Sequence, residues 1–156
     1  MDDRSADRTS VRVDTADRNS VRPTYLNGQH AVVTGGGRGL GAAIARALAS
    51  QGADLTLMGR TAATLEPHAD TLRRASGVRA RAVVCDVTDP TSVQRAFADA
   101  VKAFGPVRLL INSAGQAGAA LVQDITLESW QRLLAVNLTG TLLCIQQVLP
   151  AMIAAQ

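Results

Sequence analysis

The residues best suited to chemistry form a glycine-rich turn, Thr34-Gly-Gly-Gly-Arg-Gly-Leu-Gly41. Glycines let the backbone turn tightly and approach a phosphate group, where a Cβ atom would collide. The apolar run Ala31–Val33 before the turn is typical of a buried strand, and Ala42–Ser50 after it has a helical composition. Unpaired N–H groups at the start of such a helix attract anions. The stretch therefore predicts a binding site for a dinucleotide pyrophosphate.

The spacing of the glycines fits T-G-x-x-x-G-x-G better than the common G-x-G-x-x-G. The candidate cofactor-binding residues of the turn are Thr34, Gly35, Gly37, Arg38, Gly39, Leu40 and Gly41. A merely flexible loop is the simple alternative, and the flanking strand and helix argue against it. A P-loop would need a following Gly-Lys-Ser/Thr, which is absent, whereas a methyltransferase-type glycine loop stays open on this stretch alone.

A second candidate site follows the predicted strand Asp54–Met58, where the chain continues as Gly59-Arg60. In a dinucleotide-binding fold this position meets the adenosine ribose, and a carboxylate here favours NAD. Since no carboxylate is present, we predict that Arg60 and Arg38 bind a 2′-phosphate, which favours NADP over NAD. The alternative is that both arginines are ordinary solvated side chains. The missing carboxylate also weakens the methyltransferase interpretation.

Polar and small residues end the next two predicted strands. Asp86, followed by Val87, can accept from an adenine amino group or cap the next turn. Asn112 can form hydrogen bonds across neighbouring strands, and Ala114 and Gly115 leave room for a ribose. Because α/β sheets bind ligands at the carboxyl ends of their strands, we predict that these residues complete the nucleotide site.

The elements that must position these residues alternate along the chain. The predicted strands are Ala31–Val33, Asp54–Met58, Arg79–Cys85 and Val107–Ile111, and the predicted helices are Ala42–Ser50, Ala62–Ser76, Thr91–Phe104 and one from Thr126 onward. This alternation predicts an α/β fold of the Rossmann type, a doubly wound parallel sheet in three layers with strand order 3-2-1-4.

Composition limits the classes of function. The 156 residues are 47% hydrophobic, which predicts one globular domain, over residues 25–156. A net charge of +3 is too small to imply a nucleic-acid partner. Cys85 and Cys144 lie in apolar runs and are interpreted as reduced core residues of a cytoplasmic protein. No residue spacing indicates a metal site.

The two ends of the sequence differ from its middle. The charged N-terminus does not resemble a signal peptide. Residues 1–24 repeat the pattern Ala6–Arg12 as Ala16–Arg22 with few apolar residues, so we expect a disordered tail. The apolar stretch Leu133–Ala155 is expected to be a poor membrane span because it contains Asn137, Gln146, Gln147 and Pro150.

Four motifs in this order resemble the short-chain dehydrogenase/reductase family. They are Thr34-Gly35-x-x-x-Gly39-x-Gly41, Asp86-Val87, Asn112-Ser113-Ala114-Gly115 and Val136-Asn137-Leu138, within residues 28–156. Ser113 stands where the family usually has a second asparagine. The resemblance implies a Rossmann fold and hydride transfer between a nicotinamide and a small-molecule alcohol or carbonyl. It assigns Asn137 a catalytic role, in which it helps to hold a water chain between the active-site lysine and solvent.

The family's catalytic serine and its Tyr-x-x-x-Lys pair come after that asparagine, and this sequence contains neither. Its single tyrosine is Tyr25 and its single lysine is Lys102, neither of them in the implied position. His30, at the start of the first strand, and His68, in a helix remote from the site, are expected to be surface residues. We therefore expect the N-terminal part of a longer enzyme, with an incomplete sheet.

An incomplete sheet would leave Leu109–Ile111 as an exposed apolar edge. The resemblance implies a homo-oligomer that associates through the helix around residues 127–155. Within the family, the pattern looks like the group of 3-oxoacyl carrier-protein reductases and 3-hydroxyacyl-CoA dehydrogenases. The alternative function is a non-catalytic nucleotide-binding or interaction module.

Overall fold

The computed structural model describes residues 24–155, in which strands and helices alternate as predicted. The strands are β1 (His30–Thr34), β2 (Asp54–Gly59), β3 (Ala80–Val84) and β4 (Val107–Asn112). The helices are α1 (Gly39–Ser50), α2 (Ala62–Ser76), α3 (Pro90–Phe104), α4 (Leu127–Leu134) and α5 (Gly140–Ala154). A short 3₁₀ helix, Val122–Asp124, precedes α4, and a π-helical turn, Ala135–Thr139, joins α4 to α5. The repeat predicted as a disordered tail lies outside the described residues.

All four strands are parallel, and their order is β3-β2-β1-β4, which confirms the predicted topology. β1 lies inside the sheet, where Val32 is level with Thr56 of β2 and Leu110 of β4. The carboxyl ends of all four strands therefore meet at one edge, which carries the glycine turn and the other candidate residues.

Two apolar clusters cover the two faces of the sheet and give the fold three layers. Neighbouring residues of β1 point to opposite faces, because Val32 belongs to one cluster and Ala31 and Val33 belong to the other. The first cluster joins the sheet to α3 and α5, chiefly through Val32, Met58, Val93, Phe97, Cys144 and Val148. The second joins it to α1 and α2, chiefly through Val33, Ala45, Leu55, Leu57, Leu65 and Leu72.

Local signals fix where the helices begin and end. Asp89 caps α3 by accepting a hydrogen bond from the N–H of Thr91, and Pro90 occupies the first helical position. Thr126 caps α4 in the same way through the N–H of Ser129. These residues lie where the sequence predicted the helices to start.

His30 is buried, which corrects the prediction of a surface histidine. One ring nitrogen, Nδ1, lies 2.8 Å from the carbonyl oxygen of Gly105, and Nε2 lies 2.9 Å from Oγ1 of Thr56. The ring of Phe104 meets the imidazole edge-on, at 5.5 Å between centroids. His68, on α2, is partly exposed.

β4 lies at the end of the sheet, and Leu109, Leu110 and Ile111 are only half-buried, as the sequence predicted for an uncovered edge. The helix that follows carries a row of exposed apolar side chains at intervals of three or four residues: Leu127, Trp130, Leu134, Leu138, Leu142, Ile145, Leu149 and Ile153. Its opposite side buries Cys144 and Val148, which confirms that Cys144 is a core residue, as Cys85 is.

Within the described residues, Leu127–Ala154 is long and apolar enough to cross a membrane by length and composition. The most apolar window of this helix has a mean hydropathy of 1.4, and 17% of that window is buried. The polar residues in the helix had led us to expect a poor membrane span. Length and composition are weak evidence for a membrane span, so the expected absence of a membrane partner stays a prediction.

Candidate cofactor site

Thr34, at the carboxyl end of β1, joins the glycine turn to the chain that leaves β4. Its buried Oγ1 accepts hydrogen bonds from the N–H groups of Ser113 and Ala114, each at 3.1 Å. The same hydroxyl donates to the carbonyl oxygen of Ile111, at 3.4 Å. Thr34 therefore links the ends of β1 and β4, while the hydrogen bonds across strands expected of Asn112 stay a prediction.

Two glycines of the motif are required by close contacts within the protein. Gly35 adopts φ +66°, and a Cβ there would lie 2.8 Å from the carbonyl oxygen of Ser113. A Cβ on Gly41 would lie 2.3 Å from the carbonyl oxygen of Gly35. These glycines therefore let the turn fold back against both α1 and the chain after β4.

Gly39 has a different environment, because nothing lies within 4 Å of the position that its Cβ would occupy. It begins α1, whose first backbone hydrogen bond runs from the N–H of Ala42 to the carbonyl of Arg38. The N–H groups before Ala42 thus have no partner within the helix, and the helix dipole favours an anion there. Arg38 and Leu40 are exposed beside this open space.

The remaining glycines of the turn pack against the next βα unit. A Cβ on Gly37 would lie 3.0 Å from Oγ1 of Thr64, so Gly37 is buried against α2. Gly36, within the stretch predicted to bind the pyrophosphate, donates its N–H to the carbonyl of Met58 at 3.2 Å. Its absent Cβ would lie 3.1 Å from the side chain of Leu57. In the sequence, the signal for this close packing on the next βα unit was a run of consecutive glycines beside a buried strand.

Arg60 is exposed and directly follows β2. The next residue, Thr61, precedes α2 as its N-cap but forms no side-chain capping bond, so its hydroxyl is also presented at this end of the strand. Thr61 was not among the site residues predicted from the sequence. A polar residue between a strand-end arginine and a helix start was the available signal.

Asp86 forms the turn after β3. Its Oδ1 accepts from the N–H of Thr88 at 2.9 Å and from the hydroxyl of Thr88 at 2.7 Å. These two hydrogen bonds, together with the positive charge of Arg60, hold the pKa of the Asp86 carboxyl below its usual range. The capping role that the sequence left open is therefore present, and the contact with adenine stays a prediction.

Val87 is buried in the core, where a Cβ on Gly140 would lie 2.8 Å from its Cγ2. Any contact of Val87 with a nucleotide would thus involve its backbone. At the end of β4, Asn112 and Gly115 are exposed and Ala114 is half-buried. Thr34 brings this segment beside the glycine turn, as the nucleotide site requires.

Asn137 lies in the π-helical turn between α4 and α5. Its Oδ1 accepts from the N–H of Gln116 at 3.0 Å, and its Nδ2 donates to the carbonyl of Gln116 at 2.8 Å. A Cβ on Gly115 would lie 3.1 Å from the same Oδ1. The side chain of Asn137 therefore fastens the chain after β4 to the long helix, while the proton-relay role assigned to it stays a prediction.

These features fit a dinucleotide on structural grounds. The open space at Gly39 is one that a Cβ would enter, and it faces unpaired N–H groups at the start of α1. Two arginines are exposed at this edge of the sheet, Arg38 in the glycine turn and Arg60 directly after β2. Small residues after β4 leave the neighbouring strand end open.

Comparisons with known proteins agree with this geometry. Residues 29–156 match the family described as short chain dehydrogenase. A D-threitol dehydrogenase from Mycolicibacterium smegmatis is 44% identical over 131 residues, which cover 83% of this chain and 50% of that protein. The chain thus spans about half the length of such curated relatives.

Solved structures give the same result. L-sorbose reductase from Gluconobacter frateurii, complexed with NADPH and L-sorbose, superposes with a TM-score of 0.79 at 29% identity, over 83% of this chain and 49% of that one. A blue fluorescent protein from a metagenomic library, in complex with NADPH, superposes with a TM-score of 0.75 at 37% identity, over 81% and 52%. Because the family match covers most of its residues, the chain belongs to the short-chain dehydrogenase family.

Proposed function

We propose that this chain carries the nucleotide-binding part of an NADP-dependent oxidoreductase. When bound, the nicotinamide supplies or accepts the hydride that interconverts an alcohol and a carbonyl compound. The observation that carries the proposal is the open space at Gly39, at the N-terminus of α1. Backbone N–H groups at that terminus hold the pyrophosphate, and the helix dipole adds to the attraction.

The choice of NADP rests on the charges at the end of β2. Arg60, with Arg38 in the glycine turn, pairs with a 2′-phosphate, and no carboxylate follows the strand to accept from a 2′-hydroxyl instead. The NADPH complexes of two structural relatives support the same choice. Asp86 would contact the adenine, and Ala114 and Gly115 would border the nicotinamide ribose.

The substrate is proposed to be a polyol or a ketose. The names of two relatives, D-threitol dehydrogenase and L-sorbose reductase, support this class over the 3-oxoacyl thioester suggested by the sequence pattern. Neither comparison supports the alternative of a non-catalytic module. The serine, tyrosine and lysine that the family resemblance implies are not in this sequence, so no turnover is proposed for these residues alone.

We propose that the exposed apolar row on α4 and α5 binds a second copy of the protein in a cytoplasmic homo-oligomer. A helix of 28 residues is about 42 Å long, enough to contribute much of a standard interface. Gln146 and Gln147 fit a protein interface better than a lipid one. Sedimentation should give a mass above that of the monomer, and Leu142→Glu should reduce it.

Gly39→Asp tests the nucleotide site directly. Its carboxylate would occupy the open space at the start of α1 and repel the pyrophosphate. The control is Gly28→Asp, because Gly28 also has a positive φ and nothing within 4 Å of its Cβ position. Aspartate tolerates that backbone region better than most residues, so both variants should fold.

Titration with NADPH, followed through its fluorescence, should give tight binding to the wild type and to Gly28→Asp. Binding to Gly39→Asp should be weaker by at least about 100-fold, since the added carboxylate would lie close to the negatively charged pyrophosphate. Equal NADPH affinity of the two variants would contradict the assignment of this site.

A further inference from the structure

Arg60 and Asp86 leave neighbouring strands at adjoining positions. The N–H of Cys85 donates to the carbonyl of Gly59 at 2.9 Å, and each of the two charged residues comes one position after that bonded pair. Parallel strands lie about 4.8 Å apart, so the two side chains begin close together at the nucleotide-binding edge. Both residues lie partly or fully at the surface.

The carboxylate of Asp86 is held in place by its own turn. Both hydrogen bonds from Thr88 reach Oδ1, so they orient the carboxylate within its own turn. The Arg60 guanidinium lies more than 4.0 Å from it, since the pair is absent from the salt bridges among the described residues. The adjoining strand positions nevertheless place the two groups within electrostatic range, and the charge of Arg60, after the two hydrogen bonds from Thr88, contributes to the lowered pKa of Asp86.

We propose that Asp86 sets the preference between NADPH and NADH by competing with the 2′-phosphate for Arg60. This inference rests on the proposed function, and it gives Asp86 a specificity-determining role distinct from an adenine contact. The carboxylate, which Thr88 orients, attracts the exposed arginine when no nucleotide is bound. A 2′-phosphate must therefore draw Arg60 away from a standing negative charge, a cost that NADH does not incur.

The two roles of Asp86 predict different results for Asp86→Asn. Asparagine keeps an oxygen that can accept from Thr88, so the turn is preserved while the charge is removed. Loss of an adenine contact would weaken NADPH and NADH equally. Release of Arg60 strengthens NADPH binding alone, and the ratio of the two affinities should rise about two- to fivefold, as for an exposed charge pair.

A double-mutant cycle assigns the effect to Arg60. Dissociation constants for NADPH and NADH are measured by fluorescence titration for the wild type, Asp86→Asn, Arg60→Gln and the double variant. In the Arg60→Gln background, Asp86→Asn should leave the ratio unchanged. Asp99→Asn, which removes the same charge from the exposed side of α3, is the matched control and should also leave it unchanged.

The outcomes separate this inference from the function on which it rests. A wild type that binds neither nucleotide would overturn both. Nucleotide binding with an unchanged ratio in Asp86→Asn, or with a shift that persists in the Arg60→Gln background, would overturn the role of Asp86 alone. Thermal unfolding of each variant shows that the measured affinities belong to folded protein.

Discussion

Asn137 and Gln116 form a two-way hydrogen-bonded pair in which one side-chain amide satisfies both main-chain groups of a loop residue. Gln116 follows the small residues that end β4, and Asn137 lies where the long helix changes to a π-helical turn. The chain after β4 is thus held from two sides, by Thr34 near the glycine turn and by Asn137 on the long helix.

Asn137→Asp should destabilise the protein by about 1–2 kcal/mol, because a carboxylate cannot donate to the carbonyl of Gln116 and repels it. Urea denaturation measures the loss. Gln94→Glu, an amide-to-acid change at an exposed position of α3, is the control and should change stability by less than about 0.5 kcal/mol. Equal effects of the two substitutions would show that the pair with Gln116 contributes little.

Thr34→Val should cost about 2 kcal/mol or more, since it leaves the N–H groups of Ser113 and Ala114 without their buried acceptor. The same variant should bind NADPH more weakly, because the chain after β4 would no longer be held against the turn. Thr34→Ser keeps the hydroxyl and should lie much closer to the wild type in both assays. Similar losses in the two variants would point to packing of the methyl group instead.

The stability of the protein should fall as the pH drops below about 6.5. Burial lowers the pKa of His30 from that value, and the hydrogen bond to Gly105 and the charge of Asp54 offset this only in part, while Arg79 and Arg81 oppose protonation. The unfolded chain therefore takes up a proton before the folded chain does, and stability is lost between the ordinary pKa and the lowered one.

An NMR titration checks this directly, because the sequence contains two histidines. The imidazole signal of His30 should titrate below about pH 6.5, and His68→Gln assigns the two signals. Nδ1 faces a carbonyl, which only accepts, so the neutral ring carries its proton there and Nε2 accepts from Thr56. A midpoint above the ordinary histidine value would contradict this arrangement.

Both cysteines should be unreactive in the folded protein. Burial raises the pKa of Cys85 to about 11 and that of Cys144 to about 12, so neither forms the nucleophilic thiolate near about pH 8. A disulfide reagent should label two thiols per chain in guanidinium chloride and react far more slowly in native buffer. Rapid labelling of native protein would show that the core around α5 opens easily.

Much of this fold could be predicted from the sequence because its signals are local. The run Ala31–Val33, the glycines after it and the following helix former are contiguous, so neighbouring residues alone specify β1, the turn and α1. Because strands and helices alternate regularly, the connection rules for parallel sheets allow only a few strand orders. The predicted order is the one found.

Long-range contacts were the part that the sequence could not supply. His30 looks like a polar residue at the start of a strand, and its burial depends on Gly105, 75 positions away, and on Thr56, 26 positions away. The link made by Thr34 likewise joins residues that are distant in sequence. The register of β1 on β4 places its hydroxyl within reach of two N–H groups, whereas the hydrogen bonds expected of Asn112 stay a prediction.

The burial of β1 has a consequence for the entropy of ligand binding. Every residue of this strand is buried and it is paired on both sides, so its amides should exchange with solvent only when the whole domain opens. The glycine turn thus extends from the most buried strand of the sheet, whereas β4 is an edge strand and is only half-buried. The glycine turn should therefore be ordered before a nucleotide binds. Binding would then cost little conformational entropy of the backbone, and little of the binding free energy would be lost.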